Sequence, residues 1–170
     1  MKRKKLTASM IALVMSVSLP MTTYAANWYL EDGSVTVNAD NSGQTVTQGG
    51  TSTPDEAPVI TQRESSVETG NTIAISTSDN AAANVTIKDI NIKSSKDAID
   101  VTGSSSANIT LEGDNKIFSE TGSALHVSDG NVTINGSGSL KAEIQDDLGS
   151  DYNHNAKIGS HEKEAMSGSI

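Results

Sequence analysis

The chain has 170 residues, with 12 Lys and Arg against 21 Asp and Glu, a formal charge of −9 and no cysteine. A disulfide framework is excluded, and with aromatic residues at 3 % a core built on large rings is unfavourable. An acidic surface of this kind repels nucleic acid and anionic lipid, so neither is an expected partner.

The N-terminus opens on the basic stretch MKRKK, continues through the apolar run LTASMIALVMSVSL from Leu6 to Leu19, and reaches a small residue in PMTTYA. The apolar run is shorter than the ~20 residues of a membrane span. Residues 1–25 therefore read as a secretory signal peptide cleaved after Ala25. Cleavage removes four basic residues and leaves eight against 21 acidic ones, a charge of −13. The expectation is a secreted or cell-surface protein with no membrane association after cleavage. Trp28, Tyr29, Phe118 and Tyr152 are then the aromatic residues that remain.

Residues 26–56 are expected to form an N-terminal cap. GSVTVNAD and QTVTQGG read as alternating strands, GGTSTPDEAP as a proline-containing linker, and Trp28 and Tyr29 as the plug of the end. From residue 57 to 170 the chain repeats. APVITQ and NTIAIST look like degenerate early rungs, and then NVTIKD at 84, NITLEG at 108 and NVTING at 131 recur, 24 and 23 residues apart. Within each copy apolar residues alternate, as in Val85 and Ile87 or Ile109 and Leu111, which is the period of a strand. A second strand follows a Gly or Asp corner, carrying Ile92, Ile117 and Leu140. A third recurs as DAIDV, SALHV and NAKIG.

Three short strands and three polar corners in roughly 23–24 residues describe one coil of an all-β, right-handed parallel β-helix, a solenoid whose strands pair with their counterparts one coil away. A single coil cannot bury its own apolar face, so several must stack, which is why the pattern returns. Residues 144–155, IQDDLGSDYNHN, read as an insertion that loops off a corner. The last residues, MSGSI, read as the start of another strand, so the C-terminal end is expected to be an open edge capable of self-association.

The stretch NITLEGDNKI…GSALHVSDGNVTINGSGSLKA…AKIGS resembles the secreted β-helical repeat proteins of Gram-positive gut bacteria, described as carbohydrate-binding-domain-containing or adhesin-like surface proteins. The resemblance covers roughly residues 27–170 and implies extracellular binding of a glycan or cell-surface ligand. It carries no site residues to transfer. Where such proteins continue through GxGxIGG, this chain has the less glycine-rich AKIGSHEKEAMSG.

Candidate site residues follow from the expected register. Lys93, Phe118 and Lys141 each follow the inward residue of a second strand and would stack as a column, an exposed ring between two ammonium groups, with Tyr152 nearby on the insertion. Such a column suits a sugar, through ring stacking and hydrogen-bond donors. The alternative is that Phe118 packs beneath the insertion as a satellite core. Thr86, Thr110 and Thr133 would form a second, threonine column beside Asn84, Asn108 and Asn131, more consistent with strand pairing than with ice binding.

A polysaccharide-cleaving enzyme would need clustered carboxylates. Asp97 and Asp100 flank a third strand, and Asp146, Asp147 and Asp151 lie in the insertion, but no pair recurs in neighbouring coils and Arg63 is the one arginine left after cleavage. These read as solvated corner residues, so no catalytic set and no cofactor are expected. His126, His154 and His161 share no ligand spacing, so no metal site is expected either. The leading reading is a non-catalytic binding module. A structural stalk or self-assembling scaffold is the first alternative and a polysaccharide-degrading enzyme the second.

Overall fold

The computed structural model describes residues 25–145 together with the backbone of residues 158–160. The expected signal peptide up to residue 24, most of the 144–155 insertion and the last ten residues lie outside the described residues. The strands run β1 (Asn27–Tyr29), β2 (Val35–Asp40), β3 (Gly43–Gln48), β4 (Thr51–Pro54), β5 (Val59–Thr61), β6 (Ile73–Thr77), β7 (Ala83–Lys88), β8 (Asn91–Ser94), β9 (Ile99–Gly103), β10 (Ser106–Glu112), β11 (Asp114–Ser119), β12 (Leu125–Val127), β13 (Asn131–Gly136), β14 (Ser139–Ile144) and β15 (Ile158–Ser160). They form a parallel β-solenoid of about three turns. The first face stacks β1, β5, β7, β10 and β13, the second β8, β11 and β14, and the third runs from β15 through β12, β9 and β6 to β2, then β3 and β4.

Alternation builds the core as the sequence implies. Val85, Ile87, Ile109 and Leu111 point in from the first face, Ile92 and Ile117 from the second, and Ile75, Ile99, Val101 and Leu125 from the third, all buried. In-register pairs such as Ile92 with Ile117, or Ile99 with Leu125, stack like residues directly on one another. Each buried Val, Ile or Leu contributes roughly 1.5–3 kcal/mol relative to exposure, and β-branched side chains fit this narrow column with little loss of rotamer freedom.

Buried amides join the coils where strands end. Asn115, almost fully buried, accepts from the Ile90 N–H on one neighbouring coil at 3.3 Å and donates to the Ser139 carbonyl on the other at 3.0 Å and to Glu112 of its own coil at 3.0 Å. Gln44 accepts from the Asn84 N–H at 2.8 Å and donates to the carbonyls of Asn84 and Asp55, so one side chain supplies ladder bonds that no strand provides there. Gln62 accepts from the Asn91 N–H.

Residues 26–56 divide between two arrangements. β1 pairs with β5 and β2 with β6 in parallel, so they add an early rung to the solenoid. β2, β3 and β4 form an antiparallel extension of the third face, edged by the exposed strand that ends at Pro54. Trp28 packs half-buried on the core and donates from Nε1 to Asp55 at 2.8 Å. The Tyr29 ring lies under the Arg63 guanidinium, 4.0 Å from its centroid. Arg63 in turn holds Asp32 through two bonds of 2.9 and 2.7 Å. That guanidinium lowers the Asp32 carboxyl below its ordinary range. For Glu31, burial opposes ionisation, but N–H groups of Glu64, Glu31 and Arg63 outweigh it and the carboxyl is lowered.

The register of the last turn differs from the repeat as written. Asn84 pairs with Asn108, 24 residues on, and their side chains are hydrogen-bonded at 3.0 Å. Asn108, however, pairs with Thr133, and Thr110 with Asn135, 25 residues on. The threonine column is therefore Thr86 and Thr110 only, and Thr133 continues the asparagine column. A slip of two residues keeps every side chain on its face, so alternation within NVTING cannot fix the register. The corner fixes it. Gly136 lies opposite Leu111 with a φ of 109°, where a Cβ would stand 2.2 Å from the Leu111 carbonyl oxygen, and the Gly138 N–H bonds that same oxygen at 2.9 Å.

Candidate functional site

The slip carries into the second face, where Ile117 pairs with Ala142 and Asn115 with Leu140. Phe118 consequently stands between Lys93 on one side and Glu143 on the other, while Lys141 stands beside Lys116. The expected column of Lys93, Phe118 and Lys141 is thus corrected: Lys93 and Phe118 are neighbours, and the position expected for Lys141 belongs to Glu143. Tyr152 falls outside the described residues.

Around Phe118 the outward residues border a half-open depression of about 200 Å³, lined by Glu68, Asn91, Lys93, Lys116, Phe118 and Glu143 above Ile92 and Ile117. It is smaller than the roughly 300–1,000 Å³ of sites that engulf a drug-sized ligand, and suits one ring or one sugar residue. The Phe118 ring is half-buried. The Lys93 ammonium lies 5.8 Å from the ring centroid, at the outer limit of a cation–π contact. It also faces Glu68 at 3.7 Å, and Lys141 pairs with Glu143 at 2.9 Å. These exposed ion pairs are worth no more than about 1 kcal/mol each. Pairs this weak exchange readily for bonds to a ligand.

Asn91, Lys116, Glu68 and Glu143 were not singled out by sequence. Lys116 and Glu143 were legible in principle as outward positions of the second strands once the register was known. Glu68 was not, since it comes from the connection that precedes Thr69, whose backbone bridges Ile92 in place of a full strand.

On the third face the structure joins residues that the sequence separates. Asp100 pairs directly with His126, 26 residues on, and Asp97 from the preceding corner approaches the same imidazole. The sequence reading takes Asp97 and Asp100 as solvated corner residues and finds no shared ligand spacing among His126, His154 and His161; ladder pairing brings Asp97, Asp100 and His126 together all the same. Ligand spacing along one strand cannot reveal a group assembled from adjacent coils. Asp146, Asp147, Asp151, His154 and His161 lie outside the described residues.

No known protein family, curated protein or solved structure matches this chain.

Proposed function

We propose that the chain is an exported, non-catalytic binding module that contacts a carbohydrate through the Phe118 face, in the manner of the secreted β-helical surface proteins its repeats resemble. The observation that supports this most directly is the half-exposed ring of Phe118 set between Lys93 and Glu143 with Lys116 alongside. An apolar ring face flanked by both donors and acceptors is what a sugar requires, because its C–H face stacks and its hydroxyls need partners of each kind. The opposing charges favour a neutral or amino-bearing sugar over a polyanion. The export part of the reading rests on the basic and apolar N-terminal stretch alone.

A glycan array with light scattering on the same sample tests the reading. Selective retention that falls in Phe118→Ala while the melting midpoint stays near that of the parent is the expected result. Retention unchanged by Phe118→Ala refutes the face. A second reading, a self-assembling scaffold, draws support from Val132, Ile134, Leu140, Ala142 and Ile144, apolar residues of β13 and β14 that are only partly buried. Silence on the array with concentration-dependent oligomers would favour it.

A further inference from the structure

Asp97, Asp100 and His126 form a second polar cluster, on the third face and apart from the Phe118 depression. His126 Nδ1 lies 2.8 Å from Asp100 Oδ1 and 3.9 Å from Asp97 Oδ2. One donor atom from each residue lies within 4.8 Å of the other two. The side chains are 30–38 % exposed, open enough to exchange a ligand and shielded enough to be held.

The fold positions each member. The Ser123 N–H of the next coil donates to Asp97 Oδ1 at 2.6 Å, which fixes the carboxylate and leaves Oδ2 facing the imidazole. Asp100 and His126 are held opposite each other by ladder pairing. In the same column Ala74 pairs with Asp100, so among the described residues a methyl group borders the cluster on that side of the stack. Among the described residues the ion pairs of Asp97 and Asp100 are with His126 alone. Two carboxylates thus converge on a single imidazole nitrogen with no Lys or Arg between them.

We propose that these three residues bind a divalent transition-metal ion of the zinc(II) class, with Oδ2 of Asp97, Oδ1 of Asp100 and Nδ1 of His126 as ligands and water or an external ligand in the remaining positions. Zinc bonds of roughly 2.1 Å in a tetrahedral arrangement separate the ligands by about 3.4 Å, and the observed 2.8 and 3.9 Å bracket that value. The ion takes the place of the proton between His126 and Asp100, and the imidazole proton then resides on Nε2. An imidazole donor favours this class over calcium or magnesium, which take oxygen ligands.

Calorimetric titration of zinc chloride into the purified full chain tests the proposal. One equivalent bound is expected, weakened about tenfold or more in His126→Ala and in the double variant Asp97→Asn with Asp100→Asn, each retaining the β-rich circular dichroism of the parent. No binding, or variants that bind as the parent does, overturns it. If the variants fail to fold, cobalt(II) is titrated into the parent while amide resonances are followed. Paramagnetic broadening centred on residues 97–101 and 123–128 supports the site, and broadening centred elsewhere, including around His154 or His161, overturns it.

Discussion

Replacing Asn115 by Leu removes the amide that joins three coils at one corner while keeping the branched outline of the side chain, in a somewhat larger volume. The substitution leaves the Ile90 N–H and the Ser139 and Glu112 carbonyls without the amide they now bond. The site is 1 % exposed, so water does not replace the amide without opening the corner. A buried backbone group stripped of its partner costs about 1–3 kcal/mol. Glu112 keeps a long contact from the Asp89 N–H at 3.4 Å, and the added apolar burial of Leu offsets part of the loss. The expected net cost is about 3–5 kcal/mol, a fifth or more of the roughly 5–15 kcal/mol that stabilises a domain of this kind. Urea unfolding followed by circular dichroism measures it, with Asn115→Asp as a companion that keeps the bond from Ile90 but sets carboxylate oxygens against two carbonyls. Asp should cost at least as much as Leu. A Leu variant within about 1 kcal/mol of the parent would refute the view that buried amides hold the corners together.

Gly103→Ala places a Cβ 1.9 Å from the Thr77 carbonyl oxygen at a φ of 107°, so backbone strain and overlap add, and a loss of about 2–5 kcal/mol is expected in thermal unfolding. Gly50→Ala, at a φ of 80° with open space around it, carries the strain alone and should cost about 1–2 kcal/mol; equal losses at the two sites would show that overlap is relieved by movement of the coil. Asp32 and Glu31 titrate below the ordinary carboxylate range of about 4 because of Arg63 and the N–H groups beside it. A depressed carboxyl contributes stability above the unfolded-state value and loses it as pH falls through the folded one, so the Arg63 clamp should release only below about pH 4. Carboxyl resonances followed by NMR in the parent and in Arg63→Ala check this, and identical midpoints in the two proteins would rule out the clamp.

What the sequence disclosed and what it concealed have separate physical causes. Alternation of Val, Ile and Leu with polar residues specifies which face of a strand is buried, so the strands, their parallel stacking and the third-strand pairing of Ile99 with Leu125 were legible, whereas aligning NAKIG with SALHV by letters sets Lys157 opposite Leu125 and the structure sets Ile158 there. Pairing of β1 and β2 with later rungs was concealed because the antiparallel extension separates them from β5 and β6 in sequence. Asn115 and Gln44 were concealed for a different reason. Polar amides at inward positions read as outward ones, and only the structure shows that they substitute for missing ladder partners. The Asp97, Asp100 and His126 cluster is a product of stacking, since ligands drawn from adjacent coils have a separation set by coil length and not by strand or helix geometry.

The two-residue slip in the last turn matters most for function, because it decides which charge stands beside Phe118, and it can be tested without reference to any ligand. The chain has no cysteine, so a disulfide reports on one introduced pair. Directly opposed residues on neighbouring strands lie about 4.8 Å apart, within the 4.4–6.8 Å that a disulfide spans between Cα atoms. A residue two positions farther along is about 8 Å away and does not close without backbone movement. The structure pairs Asn108 with Thr133, whereas alignment of the repeats by their letters pairs Asn108 with Asn131. Thr133 and Asn131 are exposed and Asn108 is half-buried on the outward face, so neither double variant disturbs the core. Under mild oxidation Asn108→Cys with Thr133→Cys should lose both free thiols well before Asn108→Cys with Asn131→Cys. The reverse order would restore Lys141 beside Phe118 and make the face a cationic one, suited to acidic sugars. The expected order keeps Glu143 there, and with it the mixed-charge surface on which the choice of a neutral or amino-bearing sugar rests.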